Sequence, residues 1–285
     1  MILRAPTNKP IILSGVRPNA GLEAAYRKKI DLLLAEMHNS VLYWVTAAYR
    51  ANTPEIAQDA SPAMELRTTM RDLGTQWMKK IDAAAPALAA YFSQRMQDRA
   101  DGALQDILLK HGFAVKWKMT REANDVMQAC IGEQVGLIRS IAQQYLGNVE
   151  RLVMQSVSTG RDLKTLTDAL GPKVDLARIG MGQRAGESDK SLLFRTRRRA
   201  ALIARDQNNK ATASMTRARY MSLGITEAIW MHSHGGKTPR PEHQKWDKKR
   251  YNPAKGMWSE VDQEYVWPGT QINCRCNSRP VIPGL

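Results

Sequence analysis

The chain has 285 residues, of which 24% are charged and 43% hydrophobic, so it can bury a sizeable core without disulfides and is unlike a disordered protein. No stretch approaches the roughly 20 apolar residues that span a bilayer, and the first residues lack a secretion signal. We therefore expect a protein made and kept in a cytoplasm without a membrane partner. The formal charge of +15 favours a polyanionic partner such as DNA or an acidic protein surface.

The N-terminal part predicts an arm followed by long helices. The first 20 residues are rich in Pro, Gly and Asn and predict an extended arm that orders against a partner. Residues 22–50 predict a long amphipathic helix, because apolar residues recur at helical spacing. This first stripe consists of Tyr26, Ile30, Leu33, Met37, Trp44 and Ala48.

A second apolar stripe predicts another helix that reaches about His111. Its members are Leu66, Met70, Leu73, Trp77, Ile81, Ala84 and Leu88. Pro86 is expected to kink or end this helix, because proline removes a backbone donor. The following segment "GFAVKWKMT" predicts a brief strand or an extended linker, and Thr120 is a candidate N-cap for the next helix. Gly147 and Gly160 predict breaks between shorter helices beyond it.

The segment "GPKVDLARIGMGQRAGESDKS" predicts a loop, and its glycines do not form a phosphate-binding pattern. One long helix is predicted after it, ending at Gly224. Nine basic residues and one acid lie between positions 190 and 219, and the arginines are expected on the face opposite the apolar positions. A solvated helix face and a contact with DNA or an acidic partner are both open. The candidate contact residues are Arg195, Arg197, Arg198, Arg199, Arg217 and Arg219.

Beyond Gly224 the alternating, aromatic and proline-rich sequence predicts short strands. We therefore predict an α+β fold: a mainly helical N-terminal part with long amphipathic helices, then the long basic helix and a small C-terminal β-containing unit. The predicted division is an arm over 1–20, a helical domain over 21–145 and a domain over 146–285. Within the last domain, helices are expected to 223 and the β-rich unit over 224–285.

Candidate metal ligands lie in this β-rich unit. Zinc prefers Cys sulfur and His nitrogen, and residues two apart on a strand share a face, so His232 and His234 could converge with Cys274 and Cys276. The single residue between the two cysteines is unusual for zinc. The alternative is a tight turn in which the thiols pack beneath "PVIP". No cofactor is therefore expected, with zinc as the alternative, and Cys130 is expected to be a small buried apolar residue.

The C-terminal part resembles the phage Mu F-like head morphogenesis proteins, also called minor head or minor capsid proteins. The resemblance covers about the last 140 residues, rests on "ALIARDQNNKATASMTRARYMSLGITEAIWMHS", "PRPEHQKWDKKRYN" and "WPGTQINCRCNSRPVI", and assigns residues 146–285 to that domain. Where many members have an acidic residue before the Arg-x-x-His run, this chain has His-Gly-Gly-Lys. The motif residues, expected to be structural, are Arg205, Asp206, Gln207, Trp230, Arg240, His243, Asn273, Cys274, Arg275 and Cys276.

The resemblance implies a virion protein of the head or neck, present in host cytoplasm during assembly and not an enzyme. Its implied partners are the portal or the major capsid protein, with packaged DNA bound without sequence preference. Arg205, Arg240 and Arg275 are expected to donate to carbonyls and to Asp206 or Asp247.

Two other hypotheses are open. One is a metal-dependent nuclease that uses His234 or His243 with Asp247 or Asn252. The other is an effector delivered with the genome, because family members can be fused to toxin domains, although no such domain is expected in the residues after Cys276.

Overall fold

The computed structural model describes residues 9–51, 62–160, 162–180, 190–235 and 238–283. Its helices and strands confirm the predicted α+β class. In chain order they are β1 (Ile11–Ile12), α1 (Ala20–Ala51), α2 (Pro62–Lys110), α3 (Arg121–Ser158), α4 (Leu163–Leu170), α5 (Leu192–Ser222), β2 (Glu227–Met231), α6 (Pro241–Lys245), β3 (Arg250–Tyr251), β4 (Met257–Ser259), β5 (Glu264–Val266) and β6 (Asn277–Ile282). A short 3-10 turn spans Leu176–Arg178. None of the helices in the described ranges is long and apolar enough to cross a membrane.

The chain forms two compact units, each built from separate segments. The helical unit consists of Ala24–Leu88 and Gln134–Ala204, and the strand unit of Met1–Glu23, Ala89–Glu133 and Arg205–Leu285. Four long helices contribute residues to both units. The two units are therefore not continuous ranges of the chain and do not test the predicted domain boundaries. The predicted boundaries at positions 20 and 145 stay predictions.

The helical unit is held by buried helix faces and a few buried polar contacts. On α1 the buried positions include Tyr26, Ile30, Leu34, Met37, Val41, Val45 and Tyr49. Trp44, predicted to belong to this stripe, is instead 50% exposed. The prediction placed it seven residues after Met37, but an α-helix has 3.6 residues per turn and its buried face drifts away from a strict seven-residue repeat.

Neither Pro86 nor Gly147 ends its helix. Helix α2 runs through Pro86, with Ile81, Ala85 and Ala89 buried in phase on either side of it, whereas the predicted Ala84 is exposed. Helix α3 likewise runs through Gly147. A glycine inside a helix costs only about 1 kcal/mol and a proline about 3 kcal/mol, which continuous burial of a long face offsets.

Other predicted helix ends are confirmed. Thr120 caps α3, since its Oγ1 accepts the N–H of Ala123 at 3.2 Å. Gly224 ends α5 with φ +69°, and the N–H of Ile225 donates to the carbonyl of Tyr220. Residues 113–120 form an extended linker without a strand. Cys130 is buried as predicted, and burial raises the pKa of its thiol to about 11.

The strand unit contains a four-stranded antiparallel sheet in the order β1-β6-β2-β3 and a β4–β5 hairpin. Strand β1 belongs to the predicted arm, but it orders against its own chain: Ile11 pairs with Ile282, and Leu13 is fully buried. Gly15 is needed there, because a Cβ at this position would lie 2.6 Å from the carbonyl oxygen of Ser278.

Buried arginines depart from the expected outward arginine face of α5. In the strand unit, the guanidinium of Arg219 binds both carboxylate oxygens of Asp101 at 2.8 and 2.6 Å, and its side chain is 4% exposed. In the helical unit, Arg197 lies 3.9 Å from the carboxylate of Asp31, and both side chains are buried. These two arginines have structural partners inside the protein.

His38 gives the helical unit a testable pH dependence. Its Nε2–H donates to the carbonyl of Pro172 at 3.0 Å, and its Nδ1 accepts from the hydroxyl of Tyr145 at 2.7 Å. Burial lowers the pKa of His38 from 6.5 to about 4. Between these values the unfolded chain binds a proton that the folded protein does not bind. The stability that neutral, buried His38 contributes is therefore fully present above pH 6.5 and is lost as the pH falls towards 4.

We expect His38→Gln to remove this part of the pH dependence, which amounts to about 3 kcal/mol over the full range. The measurement is urea unfolding between pH 4.5 and 7. His111→Gln, at a partly exposed position, is the control and should keep the wild-type profile. Parallel profiles for wild type and His38→Gln would contradict the assignment.

Candidate functional site

The loop over residues 267–276, here called the Cys loop, is held by one face of α5. Asp206 accepts the N–H of Asn273 at 2.6 Å, and Asn209 donates to the carbonyl of Cys274 at 3.2 Å. The guanidinium of Arg205 donates to the side-chain oxygen of Asn273 at 3.2 Å. Two motif segments of the sequence that lie about 70 residues apart therefore meet through hydrogen bonds to the backbone and to Asn273 of the loop.

The Cys loop also approaches α5 without room for a larger residue. Gly269 has φ +85°, and a Cβ there would lie 2.9 Å from the Cβ of Ala213. Asp206, Asn209 and Ala213 recur at spacings of three and four residues and so share one helix face. This face positions the two cysteines.

Cys274 and Cys276 converge on His243 of the short helix α6. The Nδ1 of His243 lies 3.5 Å from the sulfur of Cys274 and 3.6 Å from that of Cys276. All three side chains are buried, and their possible ligand atoms lie within 4.8 Å of one another. Within the described part of the chain, these three residues form the group of His, Cys and carboxylate side chains with metal-ligand spacing.

Aromatic rings enclose this group. The ring of Trp230, which is fully buried on β2, lies 5.0 Å from that of His243 and 4.8 Å from that of Trp246. Trp246 stacks on His243 at 5.4 Å between ring centroids. The cluster thus lies in an apolar part of the strand unit, where polar groups must find partners within the protein.

A backbone hydrogen-bond donor points at the sulfur of Cys274. The N–H of Gly269 donates to the sulfur of Cys274 at 3.3 Å. The pKa of Cys274 is lowered, chiefly because the Cys276 thiol donates to it, and the pKa of Cys276 is raised by the same bond. Ser233 and Trp230 lower the pKa of Cys276 to a smaller extent. One thiolate is therefore stabilised within this buried pair.

A chain of polar groups orients His243. Its Nε2 lies 2.7 Å from the side-chain oxygen Oε1 of Gln271, and the side-chain nitrogen of Gln271 donates to Asp262 at 2.6 Å. The hydroxyl of Ser259 donates to this carboxylate or to Glu242 of α6. Because the Gln271 oxygen only accepts, the Nε2 of His243 carries the proton and its Nδ1 faces the sulfurs with a free lone pair.

The two histidines of the predicted ligand set, His232 and His234, are not part of this three-residue group. His232 and His234 follow β2 and contact each other through their Nδ1 atoms at 3.2 Å, and His234 contacts Asp247 at 3.1 Å. The prediction assumed a strand that carries both residues on one face, but β2 ends at Met231 and His234 has φ +51°. Asp247 also accepts the N–H of His232, which lowers its pKa.

The other motif residues have separate contacts. Arg240 donates to the carbonyl of Ile272 at 3.1 Å, and Arg275 to that of Gly235 at 3.3 Å. These bonds agree with the expected carbonyl acceptors, whereas neither guanidinium binds Asp206 or Asp247 in the described chain. Gln207 donates to Glu133 at 3.1 Å, away from the Cys loop.

The six predicted contact arginines lie in different surroundings. Arg195 and Arg198 are exposed, and Arg199 donates to Ser140 at 3.2 Å. Arg217 lies over the ring of Trp267 at 4.0 Å. Arg197 and Arg219 are the buried pair members described above. Because two of the six are buried, the six arginines do not form one continuous exposed face.

A basic cleft of about 1000 Å³ lies in the strand unit. Five arginines line it: Arg17, Arg205, Arg217, Arg275 and Arg279. None of the five forms an ion pair with a carboxylate in the described ranges, although Glu23 also lines the cleft. Sequence reasoning missed Arg17 and Arg279 as members of a site, because only the pairing of β1 with β6 brings these distant segments together.

Comparisons with known proteins agree with the motifs. Residues 147–279 match the family described as Phage Mu protein F like protein. The chain is 30% identical over 156 residues to an uncharacterized protein of Haemophilus influenzae, in an alignment that covers 55% of this chain and 29% of that protein. It thus spans less than two thirds of that relative's length. No solved structure matches the chain.

The docking of the Cys loop can be tested at Asp206. We expect Asp206→Ala to speed amide hydrogen exchange across residues 267–276 and to lower the free energy of unfolding by about 1 kcal/mol, because the N–H of Asn273 loses a charged acceptor that is only half buried. Asp168→Ala is the control, since Asp168 pairs with Lys164 on an exposed helix surface. Unchanged exchange in the loop would contradict this role for Asp206.

Proposed function

We propose that this protein is a minor head protein of a tailed phage or prophage and acts in head morphogenesis, because residues 147–279 match the phage Mu F-like family. The family match is the observation that carries the proposal. The protein is a structural component of the virion rather than an enzyme, acts near the portal and contacts the portal or the major capsid protein. Disruption of its gene should give particles that fail to fill or to infect, and the protein should co-purify with heads.

The basic cleft supports a contact with packaged DNA. Three of its guanidinium groups donate to a carbonyl or amide oxygen, and that of Arg217 lies over an aromatic ring. None of the five arginines pairs with a carboxylate in the described chain, so their charge is not neutralised locally. Arg279, for example, donates to the carbonyl of Leu13 at 3.0 Å, which fixes its position without cancelling its charge. Arginine recognises phosphate by planar, two-point hydrogen bonding. The cleft therefore takes a phosphodiester backbone, without base recognition.

The cleft is a revision of the predicted DNA contact. The sequence placed the contact on one face of α5, but two of the six predicted arginines are buried in ion pairs. Arg217 remains a cleft residue, whereas Arg195, Arg198 and Arg199 belong to the helical unit. The two surfaces give different mutational outcomes.

We expect the triple variant Arg17→Gln, Arg275→Gln and Arg279→Gln to weaken binding to a double-stranded oligonucleotide at least about tenfold at low salt. Each phosphate contact releases counterions, so the slope of log affinity against log salt should shrink by up to about 3. Fluorescence anisotropy over a salt series measures both quantities, and thermal unfolding checks that the variant is folded.

The control carries the same change in charge outside the cleft: Lys79→Gln, Lys173→Gln and Arg178→Gln, all at exposed positions. It should keep most of the wild-type affinity and slope. A third variant, with Arg195, Arg198 and Arg199 changed to Gln, tests the face predicted from sequence. Loss of binding in that variant but not in the cleft variant would assign the contact to α5 and contradict the cleft.

The second candidate function, a metal-dependent nuclease, has one contact in its favour: exposed His234 lies beside the carboxylate of Asp247. Its other predicted histidine, His243, is 3% exposed and bonded to Gln271, which makes it a poor base for water at a DNA strand. Plasmid incubated with the protein and magnesium, manganese or zinc separates the candidates. Intact plasmid is the expected result, and cleavage that His234→Ala abolishes would establish the nuclease.

A further inference from the structure

We propose that His243, Cys274 and Cys276 bind a zinc ion that fixes the Cys loop to α6. The three residues supply one imidazole nitrogen and two sulfurs, the donor types that zinc prefers. They come from two separate segments of the strand unit and converge in a buried position. This set differs from the one that the sequence predicted, because it replaces His232 and His234 by His243.

The distances agree with the edges of a zinc tetrahedron. With Zn–S bonds of about 2.3 Å and a Zn–N bond of about 2.05 Å, a tetrahedral angle places nitrogen and sulfur about 3.6 Å apart. The Nδ1 of His243 lies 3.5 and 3.6 Å from the two sulfurs. Both nitrogen-to-sulfur edges therefore have the length that a shared metal requires.

The surrounding hydrogen bonds hold the ligands in the binding state. Gln271 accepts from the Nε2 of His243, which leaves the Nδ1 lone pair directed at the sulfurs. Asp262 in turn accepts from the amide of Gln271, so a carboxylate supports the imidazole through one intervening amide. Such outer partners are typical of metal-bound histidines, because they fix the ring orientation and raise the basicity of the ligand nitrogen.

The sulfur of Cys274 has a donor suited to a thiolate, because Gly269 directs its backbone N–H at it. The indole N–H of Trp230, whose ring contacts that of His243, is buried without a hydrogen-bond partner among the described residues. A zinc ion balances the charge of two buried thiolates, which would otherwise be costly in this apolar surrounding.

Three protein ligands leave one tetrahedral position for solvent or a further ligand. Because the three ligands are buried and come from two segments of the chain, the role of the ion is structural. The ion joins α6 to the loop that precedes β6, which is the central partner of β1 and β2 in the sheet. Metal binding energy then becomes folding energy of the strand unit.

The first experiment measures metal in the full-length protein, purified without chelator from cells grown with zinc. Mass spectrometry of the metal content should give about one zinc per chain, and cobalt exchanged into the protein should give the visible bands of a tetrahedral ion with thiolate charge transfer. Removal of zinc by a chelator should lower the thermal midpoint and speed hydrogen exchange in residues 267–276. Protein that is folded but holds neither zinc nor cobalt would overturn the proposal.

Matched variants identify the ligands. Cys276→Ser and His243→Gln should lose zinc, while His232→Ala and His234→Ala should retain it at the wild-type ratio. Since a core substitution at His243 can unfold the protein, Cys276→Ser, a change of one atom, is decisive whenever its circular dichroism stays native. Zinc lost from the His232 and His234 variants but kept in the other two would show that the set predicted from sequence binds the metal.

Discussion

The strand unit depends on the need to satisfy the backbone of the Cys loop. Buried N–H and carbonyl groups without partners would cost more than the loop could recover by packing. Helix α5 meets this need with Asp206, which accepts the N–H of Asn273, and Asn209, which donates to the carbonyl of Cys274. These bonds fix the loop backbone and so place the two thiols beside His243. The helix motif and the cysteine motif are parts of one arrangement.

Helical periodicity predicts most of the fold, because a buried helix face leaves its spacing in the sequence. The long α5, the Thr120 cap and the Gly224 end follow from local chemistry alone. Pro86 and Gly147 fail as breakers because tertiary burial of a whole helix face outweighs a local penalty of a few kcal/mol. The pairing of β1 with β6 could not be predicted for a different reason. Two isoleucines are too short a pattern to indicate a strand partner at the other end of the chain.

The site was predictable in its residues but not in its grouping. The motif identified His243 and both cysteines, yet strand alternation favoured His232 and His234 as their companions. What decides the grouping is where β2 stops and how α6 turns His243 inward, and both depend on packing around Trp230. The arginines show the same limit. The sequence shows how many arginines α5 carries. It does not show that Arg197 and Arg219 are buried, because the carboxylates that pair with them lie on α1 and α2.

The sheet order also sets the timing of folding during synthesis. Strand β1 is translated before the other strands, and its partner β6 follows about 265 residues later. The backbone hydrogen bonds of β1 therefore cannot form until β6 has been translated. The helical unit has all of its residues once Ala204 has been translated. Nascent chains therefore carry an unpaired, apolar N-terminal strand for most of translation, and its brevity, only two residues, limits how readily it can pair with neighbouring chains.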